Sequence, residues 1–265
     1  MLNLIQADLF KLRKSKAIKI LLGITTVSAL VMAMMAYLIP QGKIEASMTG
    51  MGFMFSDINI ISILGGFIAG VFICGDFDNK TIHDAIANGC SRGAVIVSKA
   101  TLLGFALALI LLPYAIITGI ALSTGSEFSM GSVAIGFLNL LTSEGGTAFS
   151  ASEVWKMLAV MLTLIIVYVA QLSICVPLAF TLKKPIFVVV IYYGFSLFTA
   201  QLMRLSDSSP VFERIFSFTP YGGKYTFITL DTGTGDMVKA IAVSLIFMIV
   251  MLAVTYSAFR KSEIK

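Results

Sequence analysis

Charge is what this chain has least of. Asp, Glu, Lys and Arg make up 12% of its 265 residues and hydrophobic residues 58%, where an ordinary soluble domain carries roughly 25% charged residues. Such a chain cannot clothe a water-facing surface, so the soluble globular class is excluded. Histidine occurs once, at His83, with no thiol pair near it, and a zinc site therefore has too few soft ligands. The cysteines Cys74, Cys90 and Cys175 supply no disulfide framework and are expected as reduced thiols. There is no G-x-x-x-x-G-K-[ST] phosphate loop, so ATP hydrolysis by that machinery is excluded for this chain. No internal repeat, low-complexity tract, soluble catalytic domain or aromatic-interleaved basic domain is present, and nucleic acid is not an expected partner.

What is present is a series of long apolar runs, at 20–39, 53–74, 100–123, 154–181, 185–203 and 237–259. Each is about as long as the roughly 20 residues a helix needs to cross the hydrocarbon core with its backbone bonded internally. The expected fold is all-α: one polytopic domain over 1–265 with six transmembrane helices. Asp57 and Asn59 stand in the first turns of the second run, so its outer end starts later or sits in protein rather than lipid. The first run follows a basic stretch at 11–19 and is longer than a signal-peptide core, which makes it an anchor.

Basic residues in the connections set the orientation. Thirteen of the 19 Lys and Arg fall on one side: those at 11–19, then Lys80, Arg92, Lys99, Lys183, Lys184, Arg260, Lys261 and Lys265. Lys43, Lys156, Arg204, Arg214, Lys224 and Lys239 fall on the other. Both termini are therefore expected in the cytoplasm. The net charge of +5 and pI near 9.1 suit contact with anionic headgroups. Before the first span, Leu2, Ile5, Leu9 and Leu12 share one helical face and Asp8, Lys11 and Lys14 lie elsewhere. This predicts a helix over 1–17 lying in the membrane interface, the alternative being a disordered basic tail.

The outer connections differ in character. Residues 124–152 are weakly acidic through Glu127 and Glu144 and broken by Gly125, Gly131, Gly145 and Gly146, with a short surface helix expected from Val133 to Leu141. Residues 205–236 turn amphipathic through Val211, Phe212, Ile215 and Phe216, then reach Pro220, Gly222 and Gly223. A re-entrant or interfacial helix followed by a turn is expected, with Tyr221 and Tyr225 at the headgroup boundary. Phe212, Phe216, Tyr221 and the mid-span Gln171 are candidates for a substrate path or exit. The competing reading is plain packing, with Gln171 bonded to a neighbouring helix.

Gly66 and Gly70 form a small-xxx-small pair that permits close helix contact, and Pro113 and Pro177 are expected to kink the third and fourth spans. No ionisable residue sits unambiguously at mid-bilayer, where ion-coupled carriers commonly place one. Energy for any transport is expected to come from outside these helices.

The one charged connection between spans on the basic side is 76–99. Asp76 and Asp78 read as helix caps rather than an acid and base pair. Asp78 or Asn79 caps a short helix through Thr81, Ile82, Ala85 and Ile86 to Asn88, Gly89 supplies a left-handed stop, and Ser91 caps the helix that follows. Ile82 and Ile86 share a face, while Lys80, His83 and Asp84 offer polar contacts. The segment is either a shape for another protein to grip or a loop merely joining two spans.

Residues 75–92, GDFDNKTIHDAIANGCSR, closing on Lys99, resemble the signature after the second span of bacterial ABC-2 type transporter permeases, similar to those of lantibiotic and bacitracin immunity and peptide export. Thr81, Ile82, Gly89, Ser91, Arg92 and Lys99 match, whereas His83 stands where Arg is usual and Lys80 where Gly is usual. The resemblance implies that Asp78, Lys80, Thr81, Ile82, His83, Ile86, Gly89, Ser91 and Arg92 belong to a coupling region for a separate ATPase subunit. It further implies two ATPases binding ATP and Mg, a second permease subunit identical or homologous to this one, and no catalysis or cofactor in this chain. The implied role is expulsion of an amphipathic peptide, antibiotic or lipid-like substrate from a bacterial cytoplasmic membrane, the alternative being a non-transporting immunity or sensor subunit.

Overall fold

The computed structural model describes residues 2–45, 49–130, 134–146, 151–222 and 224–261. The expected positions Gly131, Val133, Gly223 and Lys265 lie outside the described residues. All regular structure among the described residues is helical, and six helical stretches are long and apolar enough to span a bilayer. They are Lys16–Leu38, Gly52–Asp78, Arg92–Ser123, Glu153–Leu182, Pro185–Met203 and Thr234–Arg260. This is a multi-pass membrane architecture of the general kind on which transport proteins are built.

Helix α1 (Leu2–Lys14) precedes α2 (Lys16–Leu38), the first span. The second is composite: α3 (Thr49–Met54), α4 (Asp57–Ala69), a π-helical turn (Gly70–Cys74) and α5 (Gly75–Asp78). Short α6 (Thr81–Ala87) leads to α7 (Arg92–Ser123), and α8 (Phe137–Glu144) lies in the next connection. The fourth span is α9 (Ala151–Leu172) and α10 (Cys175–Leu182), the fifth α11 (Pro185–Ser208), and short α12 (Pro210–Phe216) precedes the sixth, α13 (Thr234–Lys261). Contacts between α1 and α7, and between the first residue of α7 and the last turn of α13, gather both chain ends at one end of the bundle, the termini end. Helices α3, α8 and α12 occupy the opposite, loop end.

Small residues decide which helices approach most closely. A Cβ added at Gly66 would lie 2.9 Å from the Val189 backbone, and one at Gly70 would lie 2.8 Å from the Pro185 ring. The pair thus admits α11 directly onto the second span, the close contact its spacing predicted. Gly66→Val is expected to push these backbones apart and destabilise the folded chain by about 1–3 kcal/mol. A thermal scan in detergent reads this, and an unchanged midpoint would remove the close contact as a stability determinant.

The two prolines behave differently. Helix α7 continues through Pro113 to Ser123, so no break occurs there. The fourth span is interrupted ahead of Pro177, at 173–174. Having no N–H, Pro177 leaves the Ser173 carbonyl without its helical donor, and that oxygen accepts from the Val176 N–H at 3.0 Å. The outward faces of α11 and α13 stay apolar, with Ile186, Phe187 and Val190 on one and Ile246, Ile249 and Val254 on the other all exposed. Such faces suit lipid or the apolar face of another helix.

The segment after α12 turns down into the bundle. Gln171 Nε2 donates to the Pro220 carbonyl at 2.9 Å, and the Tyr221 hydroxyl donates to the Gln171 carbonyl at 2.5 Å. The Tyr221 ring meets Phe195 of α11 and Phe247 of α13 edge-on, at 5.3 and 6.1 Å between centroids. Both partners lie mid-helix, so the turn dips deep into the bundle. The chain then climbs back to the loop end, where the Thr226 carbonyl accepts from Gly136 N–H at 2.7 Å and Leu230 N–H donates to Glu144 at 2.7 Å. Tyr221 and Tyr225 are accordingly buried, each below 9% exposed, rather than at a headgroup boundary. Their phenols need internal acceptors once the aromatic bodies are enclosed. Tyr225 finds one in the Ser217 carbonyl at 2.7 Å.

Candidate functional site at the termini end

Helix α6 is made by its ends. Asn79 N–H bonds the Gly75 carbonyl and so belongs to the turn closing α5. Lys80 then reverses the chain in a left-handed conformation, φ 59°, and no side chain caps the start of α6. The expected Asp78 or Asn79 cap is therefore corrected, because both residues lie before the reversal. A glycine would enter this conformation without steric penalty; Lys80 enters it at some cost. The far end is as expected. Gly89, at φ 88°, donates to Ile86 O and Cys90 N–H to Ala85 O, each at 3.0 Å, a Schellman pair. Ser91 Oγ accepts from Ala94 N–H at 3.2 Å and caps α7.

Behind α6 lies a buried ion network. Lys99 Nζ, on α7, sits 2.5 Å from Asp8 Oδ1 of α1 and 2.5 Å from Asp76 Oδ2 of α5. Ser98 Oγ donates to the other Asp8 oxygen at 2.6 Å, and Lys11 pairs with the other Asp76 oxygen. Two carboxylates and two ammonium groups thus balance. The Lys99, Asp76 and Asp8 side chains are each below 10% exposed, Lys11 half-exposed. Removing one partner from such a buried set leaves an uncompensated charge, so α1, α5 and α7 are held as one unit. Thr81 Oγ1 donates to the Asp76 backbone carbonyl at 3.1 Å, which attaches α6 to the same residue.

These contacts change two expectations. Asp76 is the hub of the network rather than a helix cap, with Lys99 buried beside it. In α1, Asp8 stands on the buried face beside Leu12, with Leu4, Ile5 and Leu9 half-buried and Leu2 74% exposed. The helix turns that face to α7, with which it makes its helix–helix contacts, because the Asp8 carboxylate has its cation there. In sequence, the available signal was an unmatched Lys and Asp at the edges of apolar spans, where a charge needs a partner.

The expected coupling residues separate into two groups. Ile82 is 1% exposed and holds α6 onto the chain's own core; it is not a knob offered outward. Ile86 and His83 are half-buried, and the His83 ring meets Phe77 edge-on at 6.3 Å. Asp78, Asn79, Lys80, Thr81, Asp84, Asn88 and Gly89 are exposed. The presented surface of α6 and its flanking turns is therefore polar. Arg92 Nη1 donates to the Phe259 and Arg260 carbonyls at 2.8 and 2.9 Å, satisfying the end of α13, where cations are favoured. The guanidinium lies 5.4 Å from the Phe259 ring centroid. Phe77, Phe180 and Phe259 meet edge-on beneath α6, and Lys183 Nζ lies 5.2 Å from the Phe77 ring centroid.

The chain matches no family model and no curated protein. Its candidate site is therefore read from its own residues.

Gln171 and Tyr221 come together in the turn buried within the bundle, whereas at the loop end Phe212 and Phe216 stack on each other at 5.5 Å, half-buried, on α12. The outward apolar residues there are Val211, Ile215 and Phe218, each at least 64% exposed. Asp57 is fully buried. It accepts from the Tyr168 hydroxyl and, at 3.0 Å, from Phe137 N–H at the start of α8, so the second span begins in protein. Among the described residues no three His, Cys, Asp or Glu side chains converge.

Proposed function

We propose that this chain is the permease subunit of an ATP-driven exporter of the ABC-2 type, working with a separate ATPase that binds ATP and Mg. The observation that carries the reading is α6, a short helix presenting a polar surface at the termini end and tied through Thr81 and Asp76 to an ion network spanning three elements. The resemblance of residues 75–92 to the permease signature supports it. In this reading two ATPases and two permease subunits form the working unit in a bacterial cytoplasmic membrane, with both termini in the cytoplasm. The exported substrate is an amphipathic peptide, antibiotic or lipid-like molecule.

The mechanism follows from the connections. A closing ATPase pushes α6, and Ile82 transmits the push to the core because it has no freedom to slip. The Asp76 carbonyl carries it to α5, and the Asp76–Lys99–Asp8 chain carries it to α7 and α1. From α5 it passes through the π-helical turn into the second span, which α11 contacts at Gly66 and Gly70. The second and fifth spans then move together, and the re-entrant turn beside α11 is displaced with them.

Two measurements test this. In a variant with the native cysteines replaced by Ala, a cysteine at Asn79 is expected to react only from the cytoplasmic side and one at Gly145 only from outside; labelling from a single side would overturn the topology. Copurification from native membrane is expected to bring down an ATPase whose hydrolysis rises with amphipathic peptide. Recovery of the chain alone from every detergent would overturn the exporter reading.

A further inference from the structure

A cavity of about 260 Å³ lies between α7, α9–α10 and α13. Its lining is apolar except for Thr101 and Ser173, and both hydroxyls donate to carbonyls of their own helices, Val97 at 2.8 Å and Ala170 at 2.6 Å. Neither hydroxyl has a proton left to donate to water. Even an apolar cavity of about 150 Å³ stays dry and takes up a hydrocarbon ring, so this one is built for hydrocarbon. It opens sideways at Phe105, 60% exposed, and towards the termini end Arg92 of α7 bonds the Phe259 and Arg260 carbonyls of α13. Val97 and Gly104 lie between one and four turns into α7, the depth of acyl chains in the termini-side leaflet.

The geometry points to a structural lipid site: the cleft between α7 and α13 holds one acyl chain of an anionic phospholipid from the termini-side leaflet. The headgroup sign follows from the charge of that end. Thirteen of the 19 basic residues belong to it by sequence position, and the exposed Arg260 forms no salt bridge among the described residues. This assignment rests only on the chain crossing a membrane, not on its being an exporter.

Trp155 is the one tryptophan, which allows a clean test. In a Trp155→Phe background, Phe105→Trp places a probe at the rim. Phe187→Trp places one on the exposed face of α11, 53% exposed in the parent. Both are reconstituted in nanodiscs with increasing brominated-chain phosphatidylglycerol or phosphatidylcholine. The expected result is quenching at Phe105→Trp that saturates at low phosphatidylglycerol and rises roughly fivefold more steeply than with phosphatidylcholine, while Phe187→Trp follows bulk composition. A Cβ at Gly104 meets Val169 at an ordinary 3.5 Å, so adding Gly104→Leu fills the cavity and is expected to abolish the excess. Should that variant not fold, Ala100→Leu occupies the same space. Coincident curves for the two probes, excess quenching that survives filling, or equal quenching by both lipids would each overturn the assignment.

Discussion

Lys99→Met is expected to destabilise the folded chain by about 3–5 kcal/mol, the scale on which a buried ion set fails when one partner is removed. Asp8 and Asp76 would then face each other with their shared cation gone and only the half-exposed Lys11 near. A thermal scan in detergent measures the loss. The triple variant Asp8→Asn, Asp76→Asn, Lys99→Met is expected to recover most of it, because the three buried charges vanish together, the half-exposed Lys11 keeps its access to solvent, and the amides keep hydrogen-bonding capacity. A Lys99→Met chain as stable as the parent would show that α1, α5 and α7 are held by apolar packing alone.

The second large effect is on partner binding. Lys80, Asp84 and Asn88 are exposed on α6 and its flanks, and replacing all three by Ala should leave the thermal midpoint within its error while lowering ATPase recovery at least tenfold, about 1.4 kcal/mol. Transport should fall with it. Ile82→Ala should give the opposite pattern. Its side chain is enclosed by the chain itself, so truncation costs about 2–5 kcal/mol of packing and lowers the midpoint before it alters the partner surface. Full ATPase recovery by the triple variant, with transport intact, would make α6 a connector only.

Much of the termini end is local, and local features are legible in sequence. Gly89 and Ser91 do what glycine and serine do at helix ends, and the structure shows both. Lys80 is less legible, since a lysine in a left-handed turn is unusual and only the surrounding fold holds it there. Which face of α6 is presented was also hidden. Ile82 and Ile86 do share a face, but periodicity does not say whether that face meets a partner or the chain's own core. The loop end was harder still, because Tyr221 and Tyr225 carry the same amphipathic side chain to a headgroup belt or to a buried turn.

Length and hydropathy define six spans, an all-helical chain and a bilayer as solvent, because lipid admits few backbone solutions and each span is a local property, and the positions of Lys and Arg define a strongly basic end. Tertiary structure decides the pairing of Asp8, Lys99 and Asp76 and of Lys11 with Asp76, across separations of 23 to 91 residues, and it decides the descent of Pro220 to Gln171. The reason is physical. In a membrane protein the faces that meet lipid and the faces that meet a neighbour are both apolar, so hydrophobic periodicity does not distinguish them; close-packing glycines and the need of every buried charge for a partner do, and both act only once distant segments have come together.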